Sequence, residues 1–152
     1  MEAHYYNVDL NWVAERKGEI TSPELNEKIA IATPPQFPKG IEGLWSPEHL
    51  FTAGVSSCFM TTFLAIAENS RLEFSDFSCA AKGKLEQVDG KFLMTEVILE
   101  PTLTIINESD REKAERVLQK SEAACLISNS IKAKVSLVTH IITKSCVVTF
   151  QK

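Results

Sequence analysis

The chain has 152 residues, 44% of them hydrophobic and 24% charged, which suits a single globular domain, residues 1–152, with a substantial core. Sixteen basic and twenty acidic residues give a formal charge of −4, and no basic run interleaved with aromatic residues suggests a nucleic-acid partner. The polar start of the chain does not resemble a secretory signal, and the longest apolar stretch, residues 55–67, is shorter than the roughly 20 residues that span a bilayer. We therefore expect a cytoplasmic protein without a membrane segment.

The first elements predicted are three short strands. Residues 4–13 alternate between apolar and polar side chains, which is typical of a half-buried strand. A turn formed by residues 15–18, with Gly18 where a positive φ would be needed, leads to strands near residues 19–22 and 28–32. This arrangement places Arg16 at the tip of a hairpin. Residues 33–43 hold three prolines and two glycines and predict a loop.

A well-marked helix follows the loop. Ser46 suits the N-cap, Pro47 the first helical position, and Glu48 the positive end of the helix dipole. His49 follows in the same turn, either as an exposed cap residue or at the mouth of a pocket. Residues 50–67 are apolar or small nearly all round, which predicts a helix buried on most faces in a core or a subunit interface.

The second half of the chain predicts a hairpin, a helix and a strand. Strands at 74–87 and 92–105 are joined at Asp89-Gly90, and Pro101 indicates a bulge or an edge. The Ser109 to Glu112 sequence fits a capping box at the start of the second helix, whose C-terminal end carries Cys125 on its apolar side. After a break at residues 128–129, β-type sequence covers 134–143, with 146–150 as an extension. The fold class is α+β.

Four cysteines are widely spaced, with no CxxC pair and no His at zinc-finger spacing, so neither a metal nor another cofactor is expected. Cys58 shares its helix face with small residues, which suits either an accessible thiol or a core cysteine. Cys125, near a helix C-terminus, is poorly placed to form a thiolate. If the two form a redox couple, Cys58 attacks and Cys125 resolves. Cys79 and Cys146 are interpreted as packed strand residues.

Two segments around these cysteines resemble known motifs. The run from Ser46 to Phe59, SPEHLFTAGVSSCF, resembles the first cysteine motif of the OsmC/Ohr family of hydroperoxide reductases. The run from Glu122 to Asn129, EAACLISN, resembles the second. The spacing and strand order between them also agree with that family, so the resemblance covers nearly the whole chain.

The resemblance implies an antioxidant thiol peroxidase with an OsmC-like fold. In that family the first cysteine, here Cys58, becomes a sulfenic acid and condenses with the second, here Cys125, to a disulfide. An Arg on the early hairpin and a Glu before the cysteine helix also act there, and they map onto Arg16 and Glu48. The sequence departs from the family where Leu126 replaces the Pro that commonly follows the second cysteine.

Helix geometry adds a demand on quaternary structure. Cys58 lies mid-helix, so its thiolate would need a cation such as Arg16 nearby. Glu48 and Cys58 are ten positions apart, roughly 15 Å along a straight helix at ~1.5 Å per residue. They cannot meet within one chain unless the helix breaks. We therefore expect Glu48 and Arg16 to serve Cys58 of a second copy in an intertwined homodimer.

The substrate expected is a bulky organic hydroperoxide, since apolar residues such as Phe51, Phe59 and Met60 would line its pocket. The reductant expected is a dithiol, such as a lipoylated protein, or a small thiol. A non-catalytic module that binds a lipid-like ligand or a partner protein in its dimer cleft is the alternative. Leu126 keeps that alternative open, whereas a metal-binding protein has little support because no cysteine has a second soft ligand nearby.

Overall fold

The computed structural model describes residues 1–144, arranged in two compact units. The first unit is Met1–Leu50, and the second begins at Phe51. The predicted strand extension at 146–150, together with Cys146, lies outside the described residues. The single domain expected from length stays a prediction. The mixed helix and strand content confirms the α+β class.

The first unit contains a three-stranded antiparallel sheet, in the order β1 (Asp9–Ala14), β2 (Lys17–Ser22), β3 (Leu25–Ala32). The turn between β1 and β2 consists of Glu15 and Arg16, so Arg16 lies at the hairpin tip as predicted. The positive φ of this turn belongs to Glu15, at 50°, and the prediction that Gly18 supplies it was wrong. Gly18 is buried within β2, and a side chain there would press on the main chain of β1, because the carbonyl oxygen of Asn11 lies 3.1 Å from the Cβ position.

The apolar side chains of β1 are open to solvent. All six residues of the strand are exposed, including Leu10 at 64% and Trp12 at 77%. The prediction that this strand is half-buried is therefore wrong for the single chain, although apolar and polar residues do alternate along it. A three-stranded sheet buries a face only where another layer covers it, and this unit contributes no such layer to β1.

The proline-rich segment after β3 is a loop, as predicted, and it is closed by main-chain hydrogen bonds. The Ile41 N–H donates to the Thr33 carbonyl at 2.9 Å, and the Phe37 N–H donates to Pro34 at 3.1 Å. Lys39, near the end of this loop, has a φ of 63°. The loop delivers the chain to helix α1 (Pro47–Asn69).

The start of α1 matches its prediction. The Ser46 side chain is almost fully buried, and its Oγ accepts the His49 N–H at 3.2 Å, the bond expected of an N-cap. Pro47 is the first helical residue. The N-cap satisfies one of the free N–H groups of the first turn, which fixes where Glu48 enters the helix.

The body of α1 is less buried than its composition predicts. Residues at every fourth position, Val55, Phe59, Phe63 and Ala67, form the one fully buried stripe. Met60 and Leu64 remain 40% and 43% exposed, so the single chain does not bury most faces of α1, and burial in a subunit interface stays a prediction. Among the described residues, α1 is also the one helix long and apolar enough to cross a membrane, which is weak evidence because the core helix of a soluble protein has the same properties.

The second unit is built around one central strand. Strands β4 (Phe74–Val88) and β5 (Lys91–Ile105) form a long hairpin whose turn, Asp89-Gly90, has φ values of 49° and 79° and confirms the predicted turn. Strands β6 (Lys134–Leu137) and β7 (His140–Thr143) pair with β5 in parallel. Buried side chains alternate along β5 and pack with the α1 stripe in the core.

Pro101 marks neither a bulge nor an edge, contrary to its prediction. It lies in the middle of the sheet, opposite Cys79 on β4. On the other side of β5, β6 ends opposite Leu99 and β7 begins opposite Thr102, so Pro101 faces the interruption between them. A residue without an N–H is tolerated there because no partner strand is present to accept the bond.

The second helix has different ends from those predicted. A 3-10 turn, Glu108–Asp110, precedes α2 (Arg111–Ala124). The Ser109 capping box does not form; instead the Glu108 carboxylate accepts from the Arg111 guanidinium at 2.6 Å and from the Thr143 hydroxyl. Helix α2 stops before Cys125, and a short helix α3 (Leu126–Ser130) covers the predicted break at 128–129.

Candidate active site

Cys58 and Cys125 lie next to each other in the second unit. Cys58 is partly exposed on α1, and its sulfur lies 4.0 Å from the Thr62 hydroxyl one turn further along the helix. The neighbouring Cys125 thiol lowers the pKa of Cys58, and both cysteines are free thiols. Two residues separated by most of the second unit are thus held as a pair.

Main-chain groups of the residues after Cys125 influence the acidity of Cys58. The amides of Ile127 and Leu126 lower the pKa of its thiol. Burial raises the pKa of the Cys58 thiol, but the Ile127 amide, the Cys125 thiol, the Thr62 hydroxyl and the Leu126 amide lower it, and the net pKa lies below the usual thiol value. The thiolate of Cys58 is therefore stabilised by neutral donors within its own unit.

Cys125 has the opposite character. It is completely buried. Burial raises the pKa of its thiol, and the neighbouring Cys58 raises this pKa as well. Its backbone is extended, with φ −64° and ψ 113°, at the junction where α2 ends and α3 begins. The Cys125 N–H donates to the Glu122 carbonyl at 3.2 Å, and the Cys125 carbonyl accepts the Asn129 N–H at 3.0 Å. The pair thus combines an acidic, partly exposed thiol with a less acidic, buried one.

This geometry corrects one step of the sequence argument. The prediction that Cys125 lies on the apolar side of α2 was wrong, because the helix ends at Ala124. The Leu126 and Ile127 amides lower the pKa of Cys58 in addition, and the role of Arg16 beside the thiolate stays a prediction. No residue in the sequence indicates this helix break: Leu126 and Ile127 are both compatible with a continuing helix.

Arg16 and Glu48 lie together in the first unit, on one cavity of about 320 Å³. The rest of its wall is largely apolar and includes Ile31, Pro34 and Phe37. Arg16 also borders a second cavity of about 440 Å³, together with Glu15 and Lys39. The structure therefore brings the two charged candidates together beside an apolar surface. Helix α1 runs from Pro47 to Asn69 without a break. The predicted need for a second copy of the chain depended on an unbroken helix between Glu48 and Cys58.

Each remaining candidate has contacts within its own unit. His49 is exposed, its Nδ1 lies 2.7 Å from the Ser46 Oγ, and it borders a small cavity with Trp45. Cys79 packs against the core, and burial raises its pKa, which agrees with its interpretation as a packed residue. His140 lies 3.8 Å from Glu100. Among residues 1–144, no three His, Cys, Asp or Glu side chains cluster in a way that could hold a metal ion.

The fold and the cysteine pair define a class of small α+β proteins in which a long core helix and a helix break hold two thiols together. The sequence profile of the family described as "OsmC-like protein" matches residues 40–140. The chain belongs to this OsmC-like family, as its resemblance predicted. The match includes α1, the hairpin and the cysteine junction.

Relatives in sequence cover nearly the whole chain. An uncharacterized protein of Bacillus subtilis, YmaD, is 24% identical over 140 residues, covering 90% of this chain and 93% of its own. A Staphylococcus aureus protein named "organic hydroperoxide resistance protein-like" is 26% identical over 137 residues, covering 90% and 94%. The family thus includes both uncharacterized members and proteins named for resistance to organic hydroperoxides.

Solved structures share the fold. An OsmC-like protein of unknown function from Vibrio cholerae superposes with a TM-score of 0.81 at 23% identity, covering 90% of this chain and 99% of that one. An organic hydroperoxide resistance protein from Elizabethkingia anophelis superposes with a TM-score of 0.73 at 20% identity, covering 94% and 100%. These similarities confirm the OsmC-like fold.

Proposed function

We propose that the protein is a thiol peroxidase that reduces organic hydroperoxides to alcohols. The observation that carries this proposal is the unequal thiol pair, in which Cys58 is partly exposed and has a lowered pKa while Cys125 is buried and has a raised one. The thiolate is the nucleophilic form of cysteine, so the more acidic and accessible thiol is suited to attack. The names of relatives that concern organic hydroperoxide resistance agree with this chemistry.

The proposed route to the disulfide has two steps, an oxidation and a condensation. The Cys58 thiolate attacks the terminal oxygen of ROOH, the O–O bond breaks, and the alkoxide leaves and takes up a proton as ROH. Cys58 is then a sulfenic acid. The Cys125 thiol attacks the Cys58 sulfur, the S–O bond breaks, and the hydroxyl leaves as water, giving a Cys58–Cys125 disulfide. A dithiol, such as a lipoylated protein, or two small thiols return the pair to the reduced state by exchange.

We assign supporting roles to Arg16 and Glu48. Arg16 stabilises the charge that develops on the peroxide oxygens, and Glu48 orients the guanidinium. Their position on one cavity supports this pairing. The apolar remainder of the cavity wall suits the alkyl part of a bulky hydroperoxide better than it suits hydrogen peroxide.

We further propose that the active enzyme is a homodimer in which Arg16 and Glu48 of one copy act on Cys58 of the other. The exposed apolar side chains of β1 and of α1, including Leu10, Trp12, Met60 and Leu64, support this assembly because soluble chains rarely leave such surfaces uncovered. A cytoplasmic location also suits the proposal, since the cytosol keeps thiols reduced between cycles. Neither a nucleic acid nor a membrane is part of it.

The test is intact-mass measurement and peptide mapping after one equivalent of cumene hydroperoxide, without reductant. We expect a loss of two hydrogens, localised to a Cys58–Cys125 disulfide, and release of one equivalent of cumyl alcohol. Unchanged thiols, or oxidation spread over Cys79 and Cys146, would contradict the cycle. They would favour instead a non-catalytic module that binds a lipid-like ligand or a partner protein in the dimer cleft.

The substrate class has its own test. Consumption of cumene hydroperoxide and of hydrogen peroxide is compared at equal concentration with dithiothreitol or dihydrolipoamide as reductant. We expect the bulky peroxide to react faster, by about tenfold or more, because the apolar wall contributes binding energy only to an alkyl group. Equal or faster reduction of hydrogen peroxide would remove the substrate proposal and leave the two-cysteine cycle intact.

A further inference from the structure

The walls of the cavity that Arg16 borders with Glu48 are joined to one another by main-chain hydrogen bonds. The Thr33 N–H donates to the Arg16 carbonyl at 3.2 Å, which ties the proline-rich loop to the tip of the β1–β2 hairpin. The Ala32 N–H donates to the Trp45 carbonyl at 2.8 Å, which ties the end of β3 to the residues that lead into α1. The hairpin tip, the end of β3, the loop and the start of α1 all border the cavity. The cavity is therefore preformed within the first unit.

The loop of residues 33–41 is closed around Phe37, which lies on the cavity wall. The Phe37 N–H donates to the Pro34 carbonyl at 3.1 Å, and the Phe37 carbonyl accepts the Gly40 N–H at 3.0 Å. The three prolines of the loop fix further φ angles. The main chain at Phe37 is thus held from both sides, so its ring is attached at a fixed point of the wall.

Gly40 allows the loop to be this tight. A Cβ at Gly40 would overlap the Pro34 carbonyl group and lie 2.7 Å from the Pro35 Cα. Both obstacles are main-chain atoms, which cannot turn aside as a flexible side chain can. A larger residue would therefore push the two halves of the loop apart and move Phe37. A substitution at Gly40 changes the position of Phe37 and leaves its ring unaltered.

The space beside Phe37 suits a compact group. The cavity volume of about 320 Å³ is near the lower end of the roughly 300–1,000 Å³ range of small-molecule pockets. A second cavity that also borders on Arg16 is lined by the charged residues Glu15 and Lys39. An acyl chain too long for the first cavity would have to leave its apolar wall and meet these charges or the solvent. A tert-butyl or cumyl group would not.

We propose that Phe37 is a specificity-determining residue, held by the closed loop so that the cavity accepts compact tertiary or aryl-alkyl hydroperoxides in preference to long-chain lipid hydroperoxides. The proposal deepens the peroxidase assignment, on which its kinetic consequence rests. A wall that is ordered before the substrate arrives costs no ordering entropy on binding, and it does not widen for a longer group. Contact with the aromatic ring then favours a compact group that fills the cavity.

The test compares variants by the ratio of kcat/KM for cumene hydroperoxide to kcat/KM for methyl linoleate hydroperoxide, both in the same detergent buffer with dihydrolipoamide as reductant. For the parent we expect a ratio of about ten or more. Phe37→Ala should lower this ratio about three- to tenfold, because it removes the aromatic contact and widens the cavity. Gly40→Ala should lower it in the same direction. Gln36, the exposed neighbour of Phe37, is outside the residues that border the cavity, so Gln36→Ala should keep the parent ratio.

Binding of cumyl alcohol, the expected product, separates the role of Phe37 from peroxidase activity. An NMR titration of the reduced protein needs no turnover, and Phe37→Ala should raise the dissociation constant about three- to tenfold. An unchanged constant overturns the role of Phe37, whatever the peroxidase activity, and a parent ratio near one overturns the preference for compact groups. A raised constant when the parent itself has no peroxidase activity supports the role of Phe37 and contradicts the proposed function. If circular dichroism shows that Phe37→Ala is unfolded, Phe37→Leu carries the same expectations and the same contradicting results.

Discussion

The sheet of residues 9–32 and the sheet of residues 74–143 use strands with similar apolar content but bury them differently. In the second sheet, alternate residues of β5 are completely buried under side chains of α1 and α2. In the first, every residue of β1 is exposed. The difference shows that alternation selects which face is apolar, whereas burial requires a second layer. A homodimer would supply that layer to the first sheet.

The chemical groups divide between the same two regions. The second unit contains the thiol pair with its own hydrogen-bond donors. The first contains Arg16 and Glu48, next to the uncovered sheet. We therefore expect Cys58 to be acidic and reactive without the charged pair, and peroxide turnover to need both the thiol pair and the charged pair.

Replacing the attacking thiol should have the largest effect. Cys58→Ser should lower peroxidase kcat/KM by about a thousandfold or more, because a serine hydroxyl does not ionise near neutral pH. Cys79→Ser is the matched control, since Cys79 is a packed strand residue with a raised pKa, and it should retain most of the activity. Substantial activity of the Cys58 variant with cumene hydroperoxide would show that another residue attacks the peroxide.

The charged region should matter for turnover more than for thiol acidity. Arg16→Ala should lower kcat/KM on the order of 100-fold, the effect typical of losing one donor to developing charge. The pH inflection of Cys58 alkylation should move much less, because the amides of Leu126 and Ile127 stabilise the thiolate. A shift large enough to account for the whole loss of rate would mean that Arg16 acts on the thiolate itself.

The open face of the first sheet should control assembly. Leu10→Lys places a charge on β1 in a position that is 64% exposed in the single chain. We expect the dimer dissociation constant to rise about thirtyfold or more, with activity lost at concentrations where the chain becomes monomeric. Val88→Lys, on the β4 side of the other hairpin, is the control. Analytical ultracentrifugation and activity over a dilution series provide the measurement, and a monomer with full activity would refute the shared site.

The smallest effect concerns a single donor on Cys58. Leu126→Pro removes the Leu126 N–H, and the φ of −64° and ψ of 113° at Cys125 already suit a residue that precedes proline. Loss of a donor to the thiolate raises the Cys58 pKa, so the rise of kcat/KM with pH should shift to higher pH. At pH 7 the rate should fall about fivefold, the effect of roughly 1 kcal/mol in one hydrogen bond.

Leu126→Ala separates the amide from the side chain. It keeps the N–H and removes a side chain that is 66% exposed, so we expect the parent pH profile. Equal profiles for the proline and alanine variants would show that the Leu126 amide does not stabilise the thiolate. The comparison also shows how a residue other than proline after the second cysteine affects the pH profile of this protein.

The sequence by itself determined the elements that depend on local chemistry. The Ser46 cap fixed the start of α1 because a side-chain oxygen satisfies a free N–H of the first turn. Asp89-Gly90 fixed the long hairpin because both residues accept positive φ. The two cysteine motifs predicted the family, and the match over residues 40–140 confirms it.

Only the tertiary structure decided the surroundings of the thiols. Helix α2 ends at Ala124 although the local residues allow it to continue, and the hydrogen bond from the Asn129 side chain to the Ala123 carbonyl joins residues across this break. The Leu126 and Ile127 amides that lower the Cys58 pKa belong to the main chain, which every residue carries, so no residue type marks them in advance. The same holds for β1: its alternation predicts an apolar face, but whether that face is covered depends on which surfaces meet in space.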